Sequence, residues 1–462
     1  MTMEFPADFR WGAATASYQI EGAAAEDGRG PSIWDTFSKT PGKVINADNG
    51  DVACDHYHRF PEDIALMQEI GLDAYRFSIA WPRLFPNGDG VRNEPGFDFY
   101  NRLIDSLIAA GIEPVITLYH WDLPQPLEDA GGWANRATVD AFTDYATACA
   151  EAFGDRVSRW ITLNEPWCVS WLGYMLGVHA PGRTELAAAV AAAHHTALAH
   201  GTATRAIRAV CPDATVGITL NMTNYIMAAD SDAEAFEASD LLDAQLNRWW
   251  IEAFTTGDYP VVLKKAYGEH LSSVLLDGDG TILKTEPDFL GINYYSDSFV
   301  AKAKESDGPL IDGGLFPFSV RADLSIPEEY KPTLTDMEWA VTPEGLGNLL
   351  IRVHHDWPQI PYLMVTENGA AYDDGPNAAG AVDDQRRVAY LSNHIASVHR
   401  AVQAGVPVKA YFAWSLLDNF EWAYGYDKRF GMVYVDFETQ RRILKASAFT
   451  YKSIIEAGRV RA

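Results

Sequence analysis

The distribution of apolar positions along the chain predicts eight buried β-strands. Eight short runs are rich in apolar and β-branched residues, and their apolar positions are continuous instead of alternating. Continuous runs are typical of parallel strands that are covered on both faces. The runs are Phe9–Thr15, Ala74–Ile79, Pro114–Tyr119, Trp160–Leu163, Thr215–Leu220, Phe289–Tyr295, Tyr362–Thr366 and Val408–Trp414.

Helical patterns lie between these runs. Apolar residues recur at helical spacing through Val139–Phe153, and Leu186–Val210 is rich in alanine. Strands that alternate with helices pair in parallel through crossovers, and eight such units favour an α/β fold of the (β/α)₈, or TIM barrel, type. A doubly wound open sheet fits the alternation nearly as well, and periodicity does not choose between the two.

The pattern predicts one domain over residues 1–462, with two long insertions. Gly12–Cys54 is rich in Gly, Asp and Pro, and Ala301–Thr342 has no clear periodicity. Both are predicted to be long loops at the C-terminal face of the barrel, where active sites lie.

Charge and cysteine content narrow the class of partner. The net charge is −27, from 36 basic and 63 acidic residues. Such a field repels nucleic acid and anionic membrane surfaces. The four cysteines are scattered without the CxxC spacing of a zinc or redox site. Met1–Gly12 lacks the apolar core of a signal peptide, and no apolar run is long enough to span a bilayer. Cytoplasm is the expected location, and the sequence predicts no oligomeric state.

Polar residues follow several of the predicted strands, where a barrel would bring them together. Two of them, Glu165 and Glu367, each stand beside an asparagine. A single Glu is more often a cap or an ion-pair partner, but two at strand ends could be the carboxyl pair that cleaves a glycosidic bond. The strand-end residues are His120, Asn164, Glu165, Asn293, Tyr295, Glu367, Asn368, Trp414 and Ser415.

Seven ordered motifs resemble glycoside hydrolase family 1, over about Phe5 to Glu456. The resemblance implies a (β/α)₈ barrel, no metal, no organic cofactor and retaining hydrolysis of β-linked sugars. The motifs are Phe9–Glu21, Tyr75–Pro86, Tyr119–Pro124, Leu163–Pro166, Gly291–Tyr295, Val365–Gly369 and Trp414–Val435.

The resemblance also implies catalytic roles. Glu165 would be the acid/base after the fourth strand, and Glu367 the nucleophile on the seventh. Retention requires their carboxyl groups to be roughly 5–5.5 Å apart. Arg76 and Tyr295 would hold Glu367 ionised, and Asn293 belongs to the same catalytic set. Burial and the charge of Glu367 would raise the pKa of Glu165.

The implied substrate is a small β-glucoside or cello-oligosaccharide, cleaved at its terminal non-reducing β-D-glucosyl residue, which links the protein to cellulose degradation. Activity on β-galactosides and β-fucosides is also expected. Glu421 would repel a 6-phosphate, so the sugar should be unphosphorylated. A non-catalytic sugar-binding relative, a 6-phospho-β-glycosidase and a transglycosylase are the alternatives. The residues implied to bind the sugar are Gln19, His120, Trp121, Asn164, Trp414, Glu421, Trp422 and Phe430. Trp339 is implied to bind the leaving group, and Trp167 and Asn221 are further candidates there.

Overall fold

Eight parallel strands close into a barrel at the centre of the computed structural model, which describes residues 2–303, 320 and 322–461. Each strand pairs with the next, and the last pairs with the first through Trp414 and Ala14. Closure excludes the open sheet and confirms the predicted barrel. The strands are β1 (Arg10–Ala14), β2 (Ala74–Ser78), β3 (Glu113–Tyr119), β4 (Arg159–Asn164), β5 (Thr215–Asn221), β6 (Phe289–Asn293), β7 (Leu363–Asn368) and β8 (Val408–Trp414).

Helices surround the barrel and connect its strands. The predicted helix Leu186–Val210 is found with the same bounds, and the predicted Val139–Phe153 lies within a helix that starts two residues earlier. The main helices are α1 (His56–Ile70), α2 (Glu94–Ala109), α3 (Ala137–Phe153), α4 (Leu186–Val210), α5 (Ala233–Asp243), α6 (Trp249–Thr256), α7 (Pro343–Asp356), α8 (Gln385–Gln403) and α9 (Ala446–Ala457).

Helix α2 shows why such segments fold as they do. Pro95 stands in its first turn, where a missing N–H costs nothing, and Phe97, Tyr100, Ile104 and Leu107 are buried on one face. Burying each of these side chains stabilises the fold by about 1.5–3 kcal/mol. The barrel therefore gains its helical layer mainly from packing, not from helix propensity.

Inside the barrel, glycines on the strands make room for large rings. A Cβ added to Gly12 would lie 2.4 Å from the Phe412 ring, and one added to Gly217 would lie 2.6 Å from the Phe289 ring. Both phenylalanines are buried in a cluster that includes Trp414 and Phe430. These rings fill the barrel interior, and the pocket described below lies at the C-terminal ends of the strands.

The loops at the C-terminal ends are more ordered than predicted. Gly12–Cys54 is not a structureless loop, because it contains helices Ser17–Ile20 and Ile33–Ser38, the second with a capping box of Ser32 and Asp35. The described part of Ala301–Thr342 contains a short antiparallel strand pairing and a helical turn. Residues 304–319 and 321 of that predicted loop lie outside the described residues.

Shorter elements complete the description. No helix in the described ranges combines the length and apolar character needed to cross a membrane. The short helices are Trp81–Leu84, Gln125–Asp129, Cys168–Gly173, Ala244–Arg248, Val261–Tyr267, Glu269–Ser272 and Asp279–Leu283. The 3₁₀ turns are Ile45–Ala47, Gly132–Ala134, Lys331–Thr333 and Trp422–Tyr424. The strands outside the barrel are Thr2–Glu4, Tyr225–Met227, Ser298–Lys302, Ala322–Asp323, Val433–Asp436, Arg441–Leu444 and Arg459–Arg461.

Candidate active site

Two glutamates from opposite parts of the barrel line one pocket. Glu165 directly follows β4 and Glu367 lies near the end of β7, the strands predicted for them. Their exposed fractions are 6% and 3%, and the pocket volume is about 890 Å³, the size of a small-molecule site. The fold therefore brings together the two carboxyl groups that the sequence pattern selects.

Glu367 is held by a cation and a hydroxyl. Arg76 Nη1 donates to Glu367 Oε1 at 2.7 Å, and the Tyr295 hydroxyl donates to Oε2 at 2.6 Å. Arg76 is itself 1% exposed and also donates to Thr366 O at 2.9 Å. Each oxygen thus has one strong donor, the setting in which a buried carboxylate stays charged.

Glu165 has weaker partners. Asn293 Nδ2 donates to Glu165 Oε1 at 2.7 Å, and the Cys168 thiol donates to Oε2 at 3.4 Å. An amide and a thiol are neutral donors, and they stabilise a carboxylate less than a guanidinium does. The protonated acid is therefore favoured at Glu165 more than at Glu367.

A pair of asparagines links the two carboxyl groups. Asn164 Oδ1 accepts hydrogen bonds from Arg76 Nη2 at 2.6 Å and from Asn293 Nδ2 at 3.1 Å. The side-chain oxygen of Asn293, Oδ1, in turn accepts from Thr366 Oγ1 at 2.8 Å. These bonds fix both amide orientations, so the positions of the carboxyl groups depend on one continuous network.

Burial raises the pKa of both carboxyl groups, and their different neighbours then make the two pKa values unequal. At Glu165 burial acts first and the charge of Glu367 adds to it, which raises the pKa to about 8. At Glu367 burial also raises the pKa, but the Arg76 charge and the Tyr295 hydrogen bond oppose the rise. The contacts therefore favour the proton on Glu165 and the charge on Glu367.

The inner end of the pocket carries unpaired polar atoms. His120 Nε2 accepts from Asn164 Nδ2 at 3.1 Å, which leaves the proton on Nδ1, and burial lowers the pKa of His120 well below its usual value. Among the described residues, neither His120 Nδ1 nor Gln19 Oε1 has a partner. Gln19 Nε2 donates to Glu421 Oε2 at 3.4 Å. One buried donor and one buried acceptor thus remain for a polar ligand.

Aromatic rings surround these polar groups. Trp414 and Trp422 lie nearly parallel to the His120 ring, with centroids 5.9 and 6.0 Å away, and the Trp121 and Trp422 centroids are 4.6 Å apart. Trp121, Glu165 and Trp422 all have positive φ, at 79°, 46° and 51°. Such backbone strain in bulky residues is kept where the surrounding structure fixes a functional side chain.

The pocket lining divides the predicted residues into two groups. Arg76 and Asn164 are fully buried and act from behind the pocket wall, through the bonds described above. Gln19 is also fully buried and outside the lining, but its Oε1 has no partner among the described residues. Trp167 and Asn221 line the pocket together with the other predicted residues. The predicted residues in the lining are His120, Trp121, Glu165, Asn293, Tyr295, Trp339, Glu367, Trp414, Glu421, Trp422 and Phe430.

Two contacts at this site were not predicted from the sequence. Cys168 is not among the predicted site residues, but its thiol contacts Glu165 Oε2 at 3.4 Å. Thr366 was read as a strand residue, but it orients Asn293. The position of Thr366 next to Glu367 was the available signal. Within the described ranges, no group of three or more His, Cys, Asp or Glu side chains is arranged to hold a metal ion.

A parallel (β/α)₈ barrel with two buried carboxyl groups in one pocket, one bonded to a guanidinium and a phenol and the other to an amide and a thiol, is the arrangement of a glycosidase. Comparison with known proteins shows which glycosidase family the chain belongs to. The sequence model described as "Glycosyl hydrolase family 1" matches residues 1–459. The chain belongs to glycosyl hydrolase family 1.

Relatives and solved structures agree over nearly the whole chain. The chain is 46% identical over 453 residues to "Beta-glucosidase A" of Acetivibrio thermocellus, covering 98% of each chain. It is 44% identical over 470 residues to the "Bifunctional beta-D-glucosidase/beta-D-fucosidase" of Bifidobacterium breve, covering 98% of this chain and 99% of that one. The solved structure of the "Family 1 b-glucosidase from Thermotoga maritima" superimposes with a TM-score of 0.93 at 43% identity and covers 100% of both chains.

Proposed function

We propose that the protein is a retaining, exo-acting β-glucosidase that works through a covalent glycosyl-enzyme intermediate. The observation that carries this proposal is the contrast between two buried carboxyl groups in one pocket. Glu367 is paired with Arg76 and Tyr295, while Glu165 has a pKa raised to about 8 by burial and by the charge of Glu367. A charged nucleophile and a protonated acid are the two groups that retaining hydrolysis needs.

In the first half-reaction, the Glu367 carboxylate attacks the anomeric carbon while Glu165 gives its proton to the leaving oxygen. The bond to the leaving group breaks, and an ester to Glu367 forms. Glu367 is now neutral, so the charge that raised the pKa of Glu165 is gone. Glu165 can then take a proton from water, which attacks the anomeric carbon. The bond between that carbon and the Glu367 oxygen breaks, so Glu367 leaves as the carboxylate and the sugar is released with its original anomeric configuration.

The inner end of the pocket supports binding of a terminal glucosyl residue. His120 Nδ1–H, Gln19 Oε1 and the Glu421 carboxyl group offer polar partners to sugar hydroxyls, and Trp414 offers a flat face. The filled barrel below closes that end, so the sugar enters with its non-reducing end first. Small β-glucosides and short cello-oligosaccharides are the proposed substrates, with β-galactosides and β-fucosides as further ones.

The assignment of the two glutamates can be tested by chemical rescue. In Glu367→Gly, azide should occupy the space of the lost carboxylate and attack 2,4-dinitrophenyl β-glucoside directly, giving the α-glucosyl azide. In Glu165→Gly, the activated leaving group needs no acid, so the ester forms and azide should give the β-glucosyl azide. The opposite anomers, or no rescue in either variant, would refute the assignment.

The wild-type enzyme provides the matched control. NMR of the first sugar product should show the β-anomer, which gives the stereochemistry without any substitution. If wild type does not hydrolyse aryl β-glucosides, the protein is a sugar-binding relative; if it hydrolyses only 6-phosphorylated ones, the glycone proposal fails. If sugar acceptors capture most of the intermediate, transglycosylation is the main reaction.

We also propose that the chain works as a single barrel domain in the cytoplasm. All four cysteines are unpaired, and three of them are buried, which suits a reducing compartment. Cell fractionation with an aryl β-glucoside assay checks the location. Activity that is found mainly outside the cytoplasm would contradict it.

A further inference from the structure

Asn368 directly follows Glu367 on β7, but its side chain does not line the pocket. The side chain is fully buried and is held by other parts of the barrel. Asn368 Nδ2 donates to Tyr294 O at 2.6 Å, and Asn368 Oδ1 accepts from the Tyr411 hydroxyl at 2.7 Å. Asn368 therefore ties the chain that follows β6 to β8, directly beside Glu367.

The hydroxyl of Tyr390 completes this set of bonds from outside the barrel. Tyr390 lies on helix α8, is buried, and donates its hydroxyl to Tyr295 O at 3.0 Å. The same hydroxyl oxygen accepts from Asn368 Nδ2 at 3.2 Å. The Tyr390 ring stacks on His394, with centroids 3.8 Å apart, which holds the hydroxyl in place. One phenol thus holds the main chain of Tyr295, whose own hydroxyl bonds to Glu367.

These bonds are needed because strand pairing is irregular at Glu367. The register of β7 against β6 shifts between Val365 and Glu367, and its register against β8 shifts between Val365 and Asn368. Such irregularities re-aim a side chain, but they interrupt the regular ladder that fixes neighbouring strands. One backbone bond follows the shift, from Tyr294 N to Glu367 O at 3.0 Å. Tyr295 lies beyond it, so side-chain bonds must supply part of the spacing between Tyr295 and Glu367.

We propose that Tyr390 and Asn368 are positioning residues that hold the Tyr295 hydroxyl on Glu367. Neither lines the pocket, so they act on the reaction only through Tyr295. This inference rests on the proposed function, in which Glu367 must be charged to attack. Because burial raises the pKa of Tyr390 well above its usual value, its hydroxyl keeps its proton and stays a donor from pH 4 to pH 10.

Tyr390→Phe tests the proposal, because it removes one hydroxyl and keeps the ring that stacks on His394. Tyr295 is then held less firmly and its hydrogen bond to Glu367 weakens. Since that bond lowers the pKa of Glu367, the pKa should rise, and the acidic limb of the kcat/KM profile for an aryl β-glucoside should move to higher pH. We expect kcat/KM to fall about three- to tenfold, less than when the Tyr295 hydroxyl itself is removed.

A second variant reaches the same network from the barrel. Tyr411→Phe frees Asn368 Oδ1 and should move the acidic limb in the same direction, so the test does not depend on the folding of one variant. Double variants with Tyr295→Phe are the decisive measurement. Without the Tyr295 hydroxyl no bond is left to position, so adding Tyr390→Phe or Tyr411→Phe should change kcat/KM less than about twofold and should not move the limb further.

Tyr145→Phe is the matched control. Tyr145 is a buried tyrosine on another outer helix, α3, and its hydroxyl donates to Leu118 O of β3 at 2.8 Å. Its loss can lower stability in the same way, but it bonds to neither β6 nor β7 and should leave the acidic limb in place. The charged and titratable groups that face Glu367 are Arg76, Glu165, Tyr295 and Glu421, and those that face Tyr390 are Tyr372, His394 and Tyr411.

The outcomes separate this inference from the proposed function. A limb shift in the single variants that is lost in the Tyr295→Phe background supports the positioning role. An unmoved limb in either variant that folds by circular dichroism, or a shift of equal size without the Tyr295 hydroxyl, overturns it while β-glucosidase activity stands. Failure of the wild type to cleave any aryl β-glucoside removes the proposed function itself.

Discussion

The hydroxyl of Tyr295 is the most direct test of how Glu367 is kept charged. Tyr295→Phe removes one oxygen and leaves the ring, which is packed with centroids 5.2 Å from Trp339 and 6.1 Å from Phe430. The lost contact is the 2.6 Å hydrogen bond to Glu367 Oε2. Because the ring stays supported, a change in activity can be assigned to the hydrogen bond and not to repacking.

The magnitude follows from the kind of bond. A hydrogen bond to a charged group contributes about 1.5–3 kcal/mol, so kcat/KM should fall about 10- to 150-fold. The bond lowers the pKa of Glu367, so its removal raises that pKa. Glu367 must be deprotonated to attack, and the acidic limb of the kcat/KM profile should therefore move to higher pH.

The assay is hydrolysis of an aryl β-glucoside from pH 4 to pH 10 at substrate concentrations well below KM. Tyr294→Phe is the matched control, because the Tyr294 hydroxyl bonds to Thr342 O at 2.8 Å and contacts neither catalytic carboxyl group. It can lower stability, but it should leave the acidic limb in place. If Tyr295→Phe keeps both the wild-type kcat/KM and the wild-type acidic limb, the electrostatic account of Glu367 is wrong.

Three further predictions follow from neighbouring groups. The basic limb of the kcat/KM profile should lie near pH 8, where Glu165 loses its proton. Cys168→Ala should move this limb to higher pH, because the hydrogen bond from the thiol lowers the pKa of Glu165. Glu421→Ser should lower kcat/KM for an aryl β-glucoside at least about tenfold, and lower it less for the β-xyloside, which lacks the 6-hydroxymethyl group. Lys445→Met, which breaks the fully buried ion pairs of Lys445, should lower the free energy of unfolding by about 3–5 kcal/mol, measured by urea denaturation.

The cysteine and lysine predictions each have a control variant of the same chemical kind, and the Glu421 prediction has the β-xyloside as its control substrate. Cys149→Ala removes a buried thiol outside the pocket lining and should not move the basic limb. Lys331→Met breaks an exposed ion pair and should cost no more than about 1 kcal/mol. If the basic limb does not shift in Cys168→Ala, the thiol does not lower the pKa of Glu165. If Glu421→Ser loses as much activity on the β-xyloside as on the β-glucoside, Glu421 does not bind the 6-hydroxymethyl group. If the two lysine variants are equally stable, the buried ion pairs of Lys445 do not stabilise the fold.

The strands, and the position of Glu165 and Glu367 in one pocket, could be predicted because their signals are local. Each strand is a continuous apolar run, and Glu165 and Glu367 directly follow or end such runs. Barrel closure could not be predicted in this way, because it depends on pairing between Trp414 and Ala14, which are far apart in the chain. Periodicity describes one segment at a time and does not specify which edge strands meet.

The supporting contacts of the site were also out of reach of local patterns. Gln19 reaches Glu421 across 402 positions of sequence, and Arg76 reaches Glu367 across 291. The second contact was expected only through the family resemblance. Cys168 is three residues from Glu165, and the two meet because a helical turn starts directly after β4, where Cys168 N–H donates to Glu165 O at 2.9 Å. The apolar pattern does not show that turn. Only a backbone in three dimensions carries that information.

Burial alone cannot give two glutamates different roles, because it raises the pKa of both. The difference arises from what each carboxyl group contacts: a guanidinium and a phenol at Glu367, an amide and a thiol at Glu165. The charge of Glu367 then raises the pKa of Glu165 further, which strengthens the difference between the two groups. Under the proposed function, that contribution vanishes when Glu367 becomes an ester, so the first half-reaction itself would prepare Glu165 to act as the base in the second.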